Sequence, residues 1–308
     1  MASDTIEPPV LRLAPVEILA PAKINLALHV TGRRADGYHT LSSLVAFAGI
    51  GDRIELSPAG TDRLDMTGPF AAALSDSLAE GAPNILARTL ALARGVARLQ
   101  GHEIPPLALK LDKRLPVAAG IGGGSADAAA LLRALADAYP GLEAPFAEAS
   151  LELGADVPMC LAARAARVSG IGETVEPLPA FPAVPAVLVN PGVPVSTPLV
   201  FSRLSRRDNP PMPDLPALTD LGILLDILQA TRNDMEDAAT AIAPAIGEAR
   251  RALIEAGALL SRMSGSGATV FAVFPDDAAA AKAAAAIRQA HPHWWVEPTR
   301  LGNGGGRA

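Results

Sequence analysis

The chain has 308 residues, 50% hydrophobic, 4% aromatic and 19% charged, with a formal net charge of −6; at roughly 150 residues per domain the length favours two packed units, and the negative balance argues against a nucleic-acid partner. Cys160 is the only cysteine, which excludes intrachain disulfides, a Cys-rich zinc site and a ligated iron–sulfur cluster. No uncharged apolar run reaches the ~18 residues of a membrane span, and Asp4 and Glu7 stand where a signal peptide would be basic, so the chain reads as cytoplasmic and unprocessed, with no membrane partner.

In chain order, Ile24, Leu26, Leu28 and Val30 alternate with Lys23, Asn25, Ala27 and His29. That is the period of a half-buried strand, predicted over 18–30, and it puts Lys23 and Asn25 on one side. Thr31–Thr40, with Gly32, Asp36 and Gly37, reads as a turn before strands over 41–47 and 53–57. Asn84 precedes apolar residues at helical spacing from Ile85 to Leu99, and Gly101 ends that helix. Leu107, Leu109 and Leu111 alternate as a strand. A glycine-rich segment then opens a helix from Ser125 to Tyr139, and another over 145–153 stops at Gly154.

Proline-rich 177–185 marks a hinge dividing the chain into 1–176 and 177–308. Beyond it the patterns predict a strand over 186–190, helices over 218–229 and 234–256, a strand near Leu259 and a Ser264–Gly267 turn. A strand over 268–274, an alanine-rich helix from Asp276 and a closing strand over 294–299 follow; His291 and His293 flank Pro292 in the turn before the last. Strands and helices mixed without a strict βαβ repeat indicate an α+β fold.

The strongest chemical signal is Pro116-Val117-Ala118-Ala119-Gly120-Ile121-Gly122-Gly123-Gly124-Ser125-Ala126-Asp127. Four glycines in five positions let successive backbone N–H groups converge on an anion, and the following helix aims its positive end there. This is a phosphate cradle. No Gly-Lys dipeptide occurs, so a P-loop is excluded. Ser125 stands where a dinucleotide fingerprint from Gly120 needs its third glycine, and Asp127 where a nucleophile elbow needs its last. A nucleoside triphosphate in a glycine loop of another architecture remains. Phosphoryl transfer also needs a group to take the acceptor's proton, and positive charge near the moving phosphoryl. Lys23 and Asp156 are the candidates, although spacing alone describes a solvated strand residue and a turn residue after Gly154 equally well.

Five segments in order, spanning Ala20 to Phe274, resemble the GHMP superfamily of small-molecule kinases, which includes galactokinase, homoserine kinase, mevalonate kinase and phosphomevalonate kinase. They are Pro21-Ala22-Lys23-Ile24-Asn25-Leu26, Ala35-Asp36-Gly37-Tyr38-His39-Thr40-Leu41, the glycine loop, Gly154-Ala155-Asp156-Val157-Pro158, and Met263-Ser264-Gly265-Ser266-Gly267-Ala268. The Tyr38-His39 segment is similar to that of members acting on a cytidine diphosphate-linked methylerythritol. The resemblance implies a two-domain GHMP kinase fold of the α+β class, with 1–176 as nucleotide-binding and catalytic domain, 177–308 as C-terminal domain, and the active site in the cleft between them. The implied reaction is ATP-dependent phosphorylation of that substrate's 2-hydroxyl, in the non-mevalonate route to isoprenoid precursors.

The same resemblance implies Asp156 as the base and Lys23 as its partner. It assigns nucleotide contacts to Pro116, Val117, Ala118, Ala119, Gly120, Ile121, Gly122, Gly123, Gly124, Ser125 and Ala126, and places Asn84 and Lys113 near adenine and ribose. A helix cap and a strand-end charge describe that last pair equally well. Asn25 is implied near the acceptor, Tyr38 and Phe201 around the cytosine, His39 at its edge, and Thr197 and Pro198 along the substrate pocket. Gly265 and Ser266, with Gly267, match a second glycine turn near the substrate phosphates. ATP and Mg2+ are the implied cofactors, with no dedicated protein metal cage visible, and a monomer or weak homodimer is expected. Ala126 and Asp127 replace the serine and asparagine of many members, removing a hydroxyl donor and adding a carboxylate beside a phosphate site. Two alternatives remain: a GHMP kinase without the cytidine clamp, and a nucleotide binder that has lost catalysis. The presence of both Lys23 and Asp156 weighs against the second.

Overall fold

The structure, a computed structural model, describes residues 14–78 and 83–304; Asp4 and Glu7 lie outside them. Its spine is an antiparallel pair, β1 (Val16–Arg33) and β2 (His39–Pro58), turned around Gly37. The strands anticipated over 41–47 and 53–57 are one. Gly51 lets β2 pass so close to β1 that a Cβ there would lie 2.0 Å from the Ala20 carbonyl oxygen. The register shifts between Pro21 and Lys23, where proline has no N–H to give to the ladder.

β3 (Arg63–Thr67) runs parallel to β4 (Leu107–Asp112), which pairs with the end of β2; α1 (Ala71–Leu78) and α2 (Ile85–Leu99) connect them. β3 escapes sequence reading because it is only half-buried on one face and exposed on the other. α3 (Gly123–Ala138) begins at Gly123 instead of Ser125, with Gly122 left-handed before it. The helix anticipated over 145–153 is α4 (Glu143–Ala149) followed by a 3₁₀ turn, Ser150–Leu153. A short α5 (Val157–Ala162) leads to the hairpin of β5 (Ala166–Gly170) and β6 (Thr174–Pro177), laid on β2.

In the second half, β7 (Val184–Asn190), β8 (Leu260–Met263), β9 (Val270–Val273) and β10 (Trp295–Gly302) are accompanied by α6 (Thr197–Ser202), α7 (Leu221–Ala230), α8 (Glu236–Ile242), α9 (Ala245–Glu255) and α10 (Asp277–Ala290). The single helix anticipated over 234–256 is broken at Ala243 and Pro244, because proline disfavours a helical residue before it and lacks the N–H to continue the ladder. One sheet runs through both halves in the order β3-β4-β2-β10-β7-β9-β8, with β1 and β5 also on β2. β10 is the join: Leu301 pairs with Ala48, while Trp295 to Leu301 pair along β7.

Burial follows these layers. Leu86, Leu111, Leu131 and Phe146 centre the first core, and Val189, Ile246, Leu253 and Phe274 the second. A third cluster, including Ile24, Leu44, Ile121, Leu188 and Phe271, bridges the halves. Each fully buried side chain of this size contributes roughly 1.5–3 kcal/mol. Among the described residues no helix is long and apolar enough to cross a membrane.

Two turns meet where the halves face each other. The glycine loop lies between β4 and α3, and the Ser264–Gly267 turn between β8 and β9. A Cβ on Gly120 would lie 2.5 Å from the Ser264 carbonyl oxygen and 2.8 Å from Gly267 N; one on Gly265 would lie 2.7 Å from Gly120 O. Both glycines have positive φ, 73° and 55°. The Ser264 hydroxyl donates to Gly120 O and accepts from Asn25 N, each at 3.0 Å, while Thr269 N donates to Ala119 O at 3.1 Å. Asn233 braces the turn from behind, donating to Met263 O and Gly265 O at 2.8 Å.

Gly120→Ala is therefore expected to destabilise the chain by about 2 kcal/mol or more, from the left-handed backbone and the clash together, read as a lowered melting temperature; an unchanged transition would contradict the close approach. A second expectation concerns His29, buried with Nδ1–H donating to Pro210 O (3.1 Å) and Nε2 accepting from Arg232 N (3.3 Å). Burial chiefly, opposed by the Pro210 bond and aided by Arg232, lowers its pKa. The unfolded chain then takes the proton first, so this contribution is complete above about pH 6.5 and is lost as pH falls through the folded value. Thermal melts from about pH 7 down to about pH 5 should show a shallower decline in His29→Gln than in the parent.

Candidate active site

A cavity of about 1400 Å³ opens along the contact of the two turns. From the glycine loop Pro116, Val117, Ala118, Ala119, Gly120, Gly122, Gly123, Gly124 and Ser125 line it. Ile121 and Ala126 do not: both are buried, in the bridging and first cores respectively. Gly122, at φ 65°, precedes α3 without any side-chain cap, so the first-turn N–H groups are left for an anion.

The opposite charges expected there stand together. Lys23 Nζ lies 2.9 Å from Asp156 Oδ2, with the lysine side chain 6% and the aspartate 37% exposed. Lys23 is placed by its own backbone, whose N–H donates to Ile121 O at 2.9 Å. Its ammonium also donates to Asn25 Oδ1 at 2.9 Å, and Asn25 Nδ2 donates to Ser43 Oγ at 2.8 Å. The two-residue spacing on β1 is what puts Lys23 and Asn25 side by side. Asp156 precedes α5 without capping it, which leaves the carboxylate to the lysine. A Cβ on Gly122 would lie 3.1 Å from Lys23 Cε and 3.8 Å from Asp156 Oδ2. The ion pair therefore sits directly against the glycine turn.

The far wall comes from the other segments. His39 stacks on Phe201 of α6 with ring centroids 4.3 Å apart and planes 7° apart, while Tyr38 is 59% exposed at the rim. Burial first, then the Arg33 and Arg207 guanidiniums, lower the His39 pKa, and its Nε2 is buried without a hydrogen-bond partner among the described residues. Thr197 Oγ1 and Ser266 Oγ are 2.7 Å apart, linking the start of α6 to the second glycine turn. Pro198 and Gly265 also line the cavity.

Asn84 and Lys113 reach the wall but are already engaged. Asn84 caps α2 by accepting from Leu86 N at 2.9 Å, and Lys113 is buried between Asp52 and Asp127 at 2.6 and 2.8 Å. Sequence reasoning gave no role to Arg33 and Arg207, which line the cavity beside His39, or to Ser43 and Ser264, which stand behind Asn25. The Arg33-Arg34 pair in the turn before Tyr38 was a visible signal; Arg207 lies in an irregular stretch that offered none.

Comparison with known proteins fits this geometry. Sequence profiles of the GHMP kinases N terminal domain and the GHMP kinases C terminal region match residues 84–164 and 212–293. The 4-diphosphocytidyl-2-C-methyl-D-erythritol kinase of Roseobacter denitrificans is 49% identical over 298 residues, covering 95% of this chain and 96% of that one. The protein of the same name from Cereibacter sphaeroides is 52% identical, covering 92% of this chain and 99% of its own. A crystal structure of 4-(cytidine 5'-diphospho)-2C-methyl-D-erythritol kinase superposes with a TM-score of 0.75 at 35% identity, over 94% of this chain and 100% of that one. A homoserine kinase from Cytophaga hutchinsonii, at 17% identity and a TM-score of 0.65, shares the fold. With half its residues identical to such relatives across nearly its whole length, the chain is a small-molecule kinase belonging to the 4-diphosphocytidyl-2-C-methyl-D-erythritol kinase family of GHMP kinases.

Proposed function

We propose that the chain transfers the terminal phosphoryl group of ATP to the 2-hydroxyl of 4-diphosphocytidyl-2-C-methyl-D-erythritol, with Asp156 as base and Lys23 as its partner. The carrying observation is the Lys23–Asp156 pair, 2.9 Å apart against the turn that would cradle the triphosphate. As the hydroxyl oxygen bonds to the γ-phosphorus and the bond to ADP breaks, the hydroxyl proton passes to the Asp156 carboxylate. Lys23 keeps that carboxylate ionised and lies close enough to the loop to offset charge on the moving phosphoryl group. Asn25, which accepts from the same ammonium, fixes its direction.

Backbone N–H groups of the loop and the start of α3 receive the phosphates. Magnesium would enter with the triphosphate, whose oxygens would supply most of its ligands. Among the described residues no group of three or more His, Cys, Asp or Glu is arranged to hold an ion, and the Asp156, Asp52 and Asp127 carboxylates beside the loop each carry a lysine on one oxygen.

Residues 177–308 supply one side of the cytidine site. His39 covers one face of Phe201 at 4.3 Å, too close to admit a ring between them. The base is assigned to Tyr38 and Phe201 with the unpartnered His39 Nε2 at its edge, which requires the His39 ring to leave the face of Phe201 it covers. Kept neutral by burial and two guanidiniums, that imidazole is available as either donor or acceptor.

Two experiments test this reading. Asp156→Asn should lower kcat by at least about a hundredfold while ATP affinity changes little; near-normal turnover would remove the aspartate from the role of base. Phosphorylation should also require the cytidyl group: equal kcat/KM for methylerythritol acceptors with and without it would reassign the chain to another GHMP substrate.

A further inference from the structure

The peptide joining Gly122 to Gly123 separates two ammonium groups. A Cβ on Gly122 would meet Lys23, whereas one on Gly123 would lie 3.2 Å from Lys113 Nζ and 3.6 Å from Asp52 Oδ2. Lys23 opens on the cavity. Lys113 is buried with two carboxylates, the side chains of Lys113, Asp52 and Asp127 being 4%, 0% and 1% exposed. No step of the transfer uses this second cluster.

Its two carboxylates are unequally served. Asp52 Oδ1 accepts from Arg114 N at 2.6 Å and Leu115 N at 2.8 Å, and its Oδ2 from Lys113 at 2.6 Å. Asp127, one turn into α3, has Lys113 on Oδ2 at 2.8 Å. Its Oδ1 is buried and meets no hydrogen-bonding partner among the described residues. With both aspartates ionised the cluster is net negative and holds an unserved carboxylate oxygen away from water, an arrangement that burial disfavours. With Asp127 protonated it is neutral. Burial raises the Asp127 pKa, the Lys113 charge opposes that, and Asp52 adds to it, for a value of about 8.

The other charged neighbours leave this balance in place. Cys160 of α5 faces Asp127, but burial pushes its thiol up to about 12, so it stays neutral. Arg133, also on α3, donates to the Cys160 carbonyl at 2.6 Å. Lys23 of β1 and Asp156 pair with each other beyond the glycine turn. Arg88 of α2 reaches instead to the Glu152 carbonyl.

We propose that Asp127 is a positioning residue for the nucleotide, carrying a proton when the triphosphate binds so that no net negative charge lies beneath the glycine loop. This rests on the reading of that loop as the triphosphate site. An ionised Asp127 repels the phosphates from below, so protonation and nucleotide binding favour one another, and by linkage nucleotide binding draws a proton in.

The test is calorimetry of Mg2+-ATP binding to the full chain without acceptor, from about pH 7 to about pH 9.5, in buffers of different ionisation enthalpy. The parent should take up a proton on binding above neutral pH, the direction in which burial moves the Asp127 carboxyl, and lose affinity on the order of tenfold across the range. Asp127→Asn should show neither effect. If that variant does not fold, a carbon-13 titration of aspartate carboxyls in the parent serves instead. One carboxyl titrating near 8, and moving upward with ATP, is expected. A flat affinity profile without proton uptake, an unchanged profile in Asp127→Asn, or no aspartate titrating above about pH 6 would each overturn the assignment alone. No ATP binding at any pH would overturn it together with the reading of the loop.

Discussion

The cleft depends on two turns of bare backbone being allowed to touch. Gly120 and Gly265 approach within distances that no Cβ would permit, and Ser264 threads one hydroxyl between the glycine loop and Asn25 of β1. A buried hydroxyl that both donates and accepts contributes modestly when made, and leaves two unsatisfied backbone groups when lost. Because Lys23 is tied by its own N–H to Ile121, the position of the loop and the position of the ammonium are a single variable. The active-site geometry is thus fixed mainly by main-chain approach, with side chains added to a frame already set.

Charge is handled locally within a protein that is acidic overall. Each of the two lysines at the loop is matched by carboxylates, but burial gives the pairs different properties. Asp156 keeps contact with water and with whatever enters the cavity, whereas the Asp52 and Asp127 side chains are buried beside the glycine loop. In such surroundings a charge is retained only if its partners are complete. Asp52 meets that condition with two backbone donors and a lysine; Asp127 does not. Net charge argues against a broad nucleic-acid face, but it says nothing about a field created by one ammonium and the start of one helix.

Local signals were the legible ones. The alternation in β1 placed Lys23 and Asn25 together, Asn84 and Asp276 announced helix starts, and the glycine run announced a loop before α3. What failed to show depended on distant partners. β3 is half-exposed and takes its pairing from β4, while α6 holds Phe201 in a short turn without helical periodicity. The continuity of β2 through Gly49 and Gly51 rests on contact with β1 and Thr299, invisible where glycines suggest a break. Pro244 was readable and overlooked. Within the glycine loop, sequence gave no means of telling which residues face the cavity, so Ile121 and Ala126 were grouped with neighbours that point the other way. The His39–Phe201 stack joins residues that no local pattern relates.

The join made by β10 carries a consequence for how the chain is born. β2 is translated well before the strand that pairs with its central stretch, Leu301 against Ala48 and Gly302 against Phe47, which follows every other described strand and helix in the chain. Until then the nascent first half holds an unfilled slot beside Phe47, flanked by strands already in place. Pairing across so long an interval closes slowly, and an open strand edge is a template for foreign chains. During synthesis, safe passage depends on keeping that slot vacant until its own strand arrives.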